Sequence, residues 1–190
     1  MWKYEKLLQF PVNIRKKDLK MAKYMLTQFG GPNGELGACL RYLTQSYSMP
    51  TDNAKALLRD IGTEEIGHVE IICTVINQLI QDTPVSELEK AGLGSNFAIH
   101  GHSIFPSDSN GVPFSTAYIS SQGDYIANLT ENLAAEAKAK ATYEQLMQLT
   151  DDPDVLGPLA FLRVREIVHF QRFGELLTNL NDLKKSGIIK

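Results

Sequence analysis

Two copies of one carboxylate–imidazole pattern lie 101 residues apart in this chain: Glu35 followed by Glu65-x-x-His68, and Glu136 followed by Glu166-x-x-His169. In each copy 30 residues separate the lone glutamate from the Glu-x-x-His pair, and a tyrosine (Tyr42 or Tyr143) comes seven residues after the lone glutamate. The chain has four histidines in all, and two of them hold matching places, which random scatter seldom produces. On a helix, residues i and i+3 are ~4.5 Å apart in rise and ~60° apart in direction, so each Glu and His share a face. The repeat predicts two like helical units that carry their acids and imidazoles at one depth.

Turn signals support that depth. In an antiparallel helical hairpin, two residues lie level when their midpoint falls at the turn. Glu35 and Glu65 have their midpoint at Pro50, inside Ser48-Met49-Pro50-Thr51-Asp52. Glu136 and Glu166 have theirs at Asp151, inside Thr150-Asp151-Asp152-Pro153. Thr51 or Asp52 can cap the helix that follows the first turn, and Asp152 with Pro153 at the first helical position suits the second. Apolar periodicity predicts helices over residues 17–29, 35–47, 53–81, 124–149 and 153–183, with Gly157-Pro158 a candidate kink or a later start. A glycine- and proline-rich stretch, 30–34, ends the first of these. Residues 82–123 hold Pro84, Pro106 and Pro113 with Phe97, Ile104, Phe105 and Phe114 between them. They read as an ordered crossover with a short helix over 84–91, a length of loop that tends to be functional. Short turns within two helix pairs and one long crossover between them are the connectivity of a ferritin-like four-helix bundle, here all-α with an additional N-terminal helix. The whole chain reads as a single domain with an N-terminal lead over 1–15 and a frayed tail over 184–190.

The neighbours of the acids on their helix faces are apolar: Ile61, Ile72, Leu133 and Ile167. Carboxylates buried among them are costly unless their charge is matched. Four carboxylates and two divalent cations balance without a buried arginine. Oxygen and imidazole donors without thiolate favour manganese or iron over structural zinc, and each neutral histidine needs a partner for its second ring nitrogen. Such a donor set is the known signature of di-iron and di-manganese carboxylate bundles.

Other classes are disfavoured. A net charge of −3 gives no basic footprint for nucleic acid. The longest apolar stretch, around 71–80, is broken by Thr74, Asn77 and Gln78 and is too short to span a bilayer. The N-terminus, Met1-Trp2-Lys3-Tyr4-Glu5-Lys6, lacks the apolar core of a secretory signal, so synthesis in the cytoplasm is expected. Cys39 and Cys73 sit in helical patterns and read as reduced, buried thiols.

Three segments resemble the manganese catalase family: Gly30-Gly-Pro-Asn-Gly-Glu-Leu-Gly-Ala38, Asp60-Ile-Gly-Thr-Glu-Glu-Ile-Gly-His68 and Arg165-Glu-Ile-Val-His169. The start of the chain through Pro11, its short length, and Gly111-Val-Pro-Phe-Ser-Thr-Ala-Tyr-Ile119 resemble the family's spore-coat (CotJC-type) branch. The likeness covers nearly the whole chain. It implies two manganese ions held by Glu35, Glu65, His68, Glu136 and His169, with Glu65 bridging. It also implies Glu166 as an outer-sphere acid/base and Tyr42 as a tyrosine hydrogen-bonded to the ligand shell. The implied chemistry is disproportionation of hydrogen peroxide to water and oxygen, in the spore coat of an endospore-forming bacterium, beside other coat proteins. Two departures stand out. Ala135 takes a place where some members carry an arginine in the access pocket, and the chain ends near Lys190 without the long C-terminal extension of larger members.

Two rival functions fit the same fold: a di-iron oxidase or peroxidase, and a mainly structural coat protein with little turnover. No Cys-x-x-Cys is present to build a rubredoxin-type electron-transfer module. Among the remaining residues, His100-Gly-His102 reads as a loop or subunit-contact feature rather than a second metal pair. Glu64 and Glu70 read as surface or interhelix pairing residues, and Lys138, Lys140 and Glu144 as a solvated face. Tyr143 either faces the site or fills the core. Apolar residues on the crossover predict a homo-oligomer.

Overall fold

The computed structural model describes residues 7–189. Residues 1–6, which carry the start of the lead and the reading against a secretory signal, lie outside that range, as does Lys190 of the tail. Seven α-helices follow in order: α1 (Leu19–Gly30), α2 (Glu35–Gln45), α3 (Asp52–Ile80), α4 (Val85–Leu88), α5 (Gly94–Phe97), α6 (Tyr125–Met147) and α7 (Pro153–Lys185). No strand occurs among the described residues.

The long helices begin where side chains cap them. Asp18, Thr51, Asp124 and Asp152 each accept a hydrogen bond from a backbone N–H of the first turn, which satisfies donors that have no partner inside the helix. Of the two candidate caps before α3, Thr51 is the one used. α7 starts at Pro153 and runs unbroken through Gly157 and Pro158, so the later start does not occur. Its end, within the tail read as frayed, carries a cap. Gly187, at φ +69°, lets Ile188 N–H reach the Leu183 carbonyl and Gly187 N–H reach that of Lys184, closing a Schellman cap.

The first bundle helix is broken in two. Asp18 N–H bonds the Leu79 carbonyl at the far end of α3, while Leu43 of α2 packs on Gly62 and Arg59 of α3 reaches Ser46. α1 and α2 thus run one after the other along α3, as α6 runs along α7. The break makes Glu35 the first residue of α2, where the helix dipole favours a carboxylate. Gly30 is required there, because a Cβ would stand 2.5 Å from the Ser107 backbone nitrogen of the crossover.

The crossover is pinned rather than loose. Its helical part extends through α4, a π turn over Glu89–Leu93 and α5, beyond the short helix expected. Asn96 donates to Ser107 Oγ at 2.9 Å and to the Asp108 carbonyl at 3.0 Å. Arg41 and Gln45 of α2 donate to the carbonyls of Tyr118 and Ser120. Phe97 is fully buried, Ile104, Phe105 and Phe114 are half-buried, and Ile99 is exposed.

Two apolar clusters fill the bundle, one toward each end. The first includes Met25, Ile72, Ile76, Tyr143, Leu159 and Leu162. The second includes Tyr42, Leu58, Ile61, Leu129, Phe173 and Leu180. Between them lies a polar layer that contains Glu35, Glu65, His68, Glu136, Glu166 and His169, each at most 1% exposed. Ile61 and Ile72 flank this layer as expected, but Ile167 does not: it is 40% exposed. It follows Glu166 by one residue and is turned ~100° away from the bundle axis.

Candidate metal centre

All six repeat residues converge. Glu35, Glu65, His68 and Glu166 place ligand atoms within 4.8 Å of one another, and so do Glu65, Glu136, Glu166 and His169. The two sets share Glu65 and Glu166, so the site is one centre with two halves. The Glu65 carboxylate sits between the imidazoles, with Oε2 2.6 Å from His68 Nδ1 and Oε1 2.9 Å from His169 Nδ1. The rings stack at 5.6 Å between centroids. Glu35 Oε2 and Glu166 Oε1 lie 3.8 Å from His68 Nδ1, and Glu136 Oε2 lies 4.0 Å from His169 Nδ1. Both Nδ1 atoms therefore face the carboxylates.

Both Nε2 atoms face Glu64. Its Oε2 is 3.0 Å from His169 Nε2 and its Oε1 is 3.7 Å from His68 Nε2. Arg165 donates to both oxygens of Glu64, at 2.6 and 3.2 Å, and Gln9 of the N-terminal lead donates to Oε1 at 2.7 Å. Glu64 is thus an interhelix pairing residue, one of the two expected readings, and it is hydrogen-bonded to the His169 imidazole and close behind that of His68. Glu64 and Arg165 hold equivalent places in the two sequence copies, 101 residues apart, so the register that aligns the ligands also pairs these two. A carboxylate placed behind a metal-binding imidazole sets its tautomer and orientation. Replacing Glu64 by Gln is expected to weaken manganese binding ~10–100-fold while leaving the fold intact, measured by competition with a chelator and by circular dichroism. An unchanged affinity would show that Glu64 only anchors Arg165.

The tyrosines cross between the helix pairs. Tyr143 donates its hydroxyl to Glu35 of the other pair, so it belongs to the site. Tyr42 faces Glu136 of the other pair, stacks edge-on against Phe173 at 4.9 Å, and its hydroxyl has no hydrogen-bond partner among the described residues.

Electrostatics mark the centre as built for cations. Burial first, then the charge of Glu65, lifts Glu35 and Glu136 from 4.5 to about 7. Burial, reinforced by Glu35, Glu136 and Glu65, raises Glu166 well above the usual carboxylate range. Burial opposes the charged form of the histidines but is outweighed by the surrounding carboxylates, which hold His169 at about 9 and His68 well above its ordinary value. Burial alone would raise Glu65, yet the two imidazoles keep it well below the usual range.

Donor chemistry fits two divalent ions. Among the described residues, buried ligand atoms without a well-aligned hydrogen bond, though some pair as ions at short range, include both oxygens of Glu65, Glu136 Oε1, Glu166 Oε1, both nitrogens of His68 and His169 Nδ1. Such orphan atoms are costly unless something binds them. Carboxylate and imidazole donors without thiolate suit manganese or iron. Cys39 stays a thiol, pushed up to about 11 by burial and then by Glu65 and Glu35.

His100 and His102 do not join the centre. His100 stacks on Phe105 at 4.2 Å and His102 Nε2 bonds the Thr83 carbonyl at 2.8 Å, so both are loop anchors. The face carrying Lys140 and Glu144 is not simply solvated, because Arg163 of α7 donates to Glu144 at 2.8 Å.

Comparison with known proteins points the same way. The family described as manganese containing catalase matches residues 1–189. Protein CotJC of Bacillus subtilis (strain 168) is 47% identical over 182 residues, 96% of each chain. The crystal structure of KatB, a manganese catalase from Anabaena, superposes with a TM-score of 0.88 at 34% identity, covering 96% of this chain and 82% of that one. A dodecameric thioferritin from Bacteroides fragilis, 17% identical, shares the fold at a TM-score of 0.59 over 90% of this chain and 92% of its own. With two overlapping carboxylate–histidine groups that could hold metal ions in a ferritin-like bundle and a family match along nearly its whole length, this chain belongs to the manganese-containing catalases.

Proposed function

We propose that this protein disproportionates hydrogen peroxide to water and oxygen at a pair of manganese ions. The observation that carries the reading is the pair of overlapping, buried donor sets that share Glu65 and Glu166. In this reading Glu35 and His68 would hold one ion, Glu136 and His169 would hold the other, and Glu65 would serve both. A bound manganese pair supplies a two-electron couple, so one peroxide is oxidised to oxygen and a second is reduced to water.

The chain's own groups do the rest. Glu166 belongs to both donor sets, and in the ion-free centre burial and its carboxylate neighbours favour its protonated form. Each half-reaction moves two protons, and Glu166 would carry one of them, giving it to the peroxide that is reduced and regaining it from the peroxide that is oxidised, while the second is handed on to solvent. Tyr143 orients Glu35 from across the bundle through its hydroxyl, and Tyr42 faces Glu136 from the other pair. The apolar clusters above and below the layer keep bulk water away from the reacting groups.

Oxygen evolution by manganese-loaded protein on addition of peroxide, read with an oxygen electrode, tests the proposal. Glu166→Gln is expected to keep two ions per chain and to slow turnover ~10²–10⁴-fold. Parallel loss of metal and activity would make Glu166 a ligand. Full manganese occupancy with no oxygen evolution would favour a structural coat protein, and preferential filling with iron would favour a di-iron oxidase. The 47% identity to CotJC supports a setting in the spore coat. Ile99 and Val112, exposed on the crossover, support assembly into a homo-oligomer.

A further inference from the structure

A cavity of about 340 Å³, lined by Glu136, Ala137, Lys140, Glu166, Ile167 and Phe170, opens on the outer face of the α6–α7 pair, directly over the side chains of two acids of the centre. Its exposed walls are apolar, and Ile167 and Phe170, 40% and 45% exposed, form its mouth. Lys140 lends the wall its methylene stem, while its ammonium sits on the rim and donates to Glu144 at 3.1 Å. Glu144 is itself gripped by Arg163, through Nε at 2.8 Å and Nη2 at 2.7 Å.

Lys140 has two acidic partners on its own helix. Glu136 lies four residues before it and Glu144 four residues after, so both stand on its face, one turn inward and one turn outward. The outward position keeps the ammonium hydrated and shares one anion between two cations. The inward position would desolvate it and lay it across the passage. Glu144 decides between them. Without its charge, Arg163 and Lys140 face each other as like charges, and Glu136, one turn inward beside the cavity, is the remaining acid on Lys140's own helix face.

We propose that Lys140 is a gate over the passage to the metal centre, held open by Glu144 and Arg163. The proposal rests on the reading of that centre as the place where a small molecule reacts. Its test uses manganese-loaded protein oxidised to the Mn(III) state and azide, a small anion that binds exchangeable metal positions, with the association rate followed by the charge-transfer absorption in a stopped-flow instrument. Glu144→Gln is expected to keep the manganese content and to slow azide association about tenfold, as it would if the open form fell to about a tenth of the molecules. The double variant Glu144→Gln/Lys140→Met is expected to recover the rate. Removing an anion from the rim would by itself draw azide in faster, so a faster or unchanged rate in Glu144→Gln overturns the proposal. A double variant as slow as Glu144→Gln overturns it too. Wild-type protein that takes up manganese and azide yet evolves no oxygen would refute the catalase reading, while these rates would still judge the gate.

Discussion

Replacing Glu65 by Gln is expected to empty both halves of the metal centre at once and to reduce oxygen evolution to background. Glu65 is the one carboxylate within 3 Å of both imidazole Nδ1 atoms, and it belongs to both donor sets. It is fully buried, so no neighbouring water can substitute for a lost oxygen. The amide is close in volume to the carboxylate, and the apolar clusters on either side need not repack. What goes is the negative charge and one acceptor, on the single group that both ions would share. Loss of an outer partner of a metal ligand already costs ~10–100-fold in affinity, and loss of the shared ligand is expected to exceed that for each ion. Elemental analysis should find less than one manganese per chain. Glu35→Gln, confined to one half, should retain more metal than Glu65→Gln. A Glu65→Gln protein with two ions per chain and undiminished oxygen evolution would remove Glu65 from the centre of the scheme.

Manganese should stabilise the protein strongly, and more so at high pH than at low. In the metal-free state the folded chain holds protons on Glu35 and Glu136 up to about 7, whereas the unfolded chain releases them near 4.5. Between those values the folded state binds more protons, so stability from these groups is fully present below 4.5 and is lost as pH rises through 7. His169, held at about 9 against an ordinary 6.5, extends the same trend upward. Glu65, shifted downward, works in the opposite sense only below 4.5. Bound cations replace those protons, and their binding releases them to solvent. At a thousandfold excess over the dissociation constant, a ligand adds about 4 kcal/mol, which for a chain of this size raises Tm by about 8–16 °C. Calorimetry of chelator-treated and manganese-loaded protein at about pH 5 and about pH 8 tests this sign. Metal-free protein equally stable at both, with no shift on adding manganese, would contradict it.

Much of this was legible in the sequence. The helices around the centre follow apolar periodicity, and their starts are written in residues whose side chains can accept a backbone N–H, such as Thr51 and Asp152. The depth of the six site residues follows from chain length alone, because rise along a helix is constant and the turns are short. Rotation about each helix axis was harder to read. Ile167 falls outside the core and Glu64 falls inside the centre because each depends on how α3 and α7 are turned toward each other. Spacing along one helix does not contain that angle.

The break between α1 and α2 shows the same limit. Glycines at 30, 31 and 34 signal a stop, but only the crossover backbone pressed against Gly30 shows why a side chain is barred there. Gln9 is more remote still: it lies in the lead, 55 residues from the Glu64 it reaches. Contacts of that range carry no periodic trace in the chain.

The amino-acid order by itself determined the ligand types, their shared depth and the charge that two divalent ions would balance, since these depend only on residue identity and on fixed helical geometry. Tertiary structure alone decided which partner each group takes: Glu64 behind both imidazoles, Tyr143 on Glu35, and Lys140 turned out to Glu144 rather than in toward Glu136. Those choices are made by interhelix rotation and by which neighbouring charges packing brings within reach.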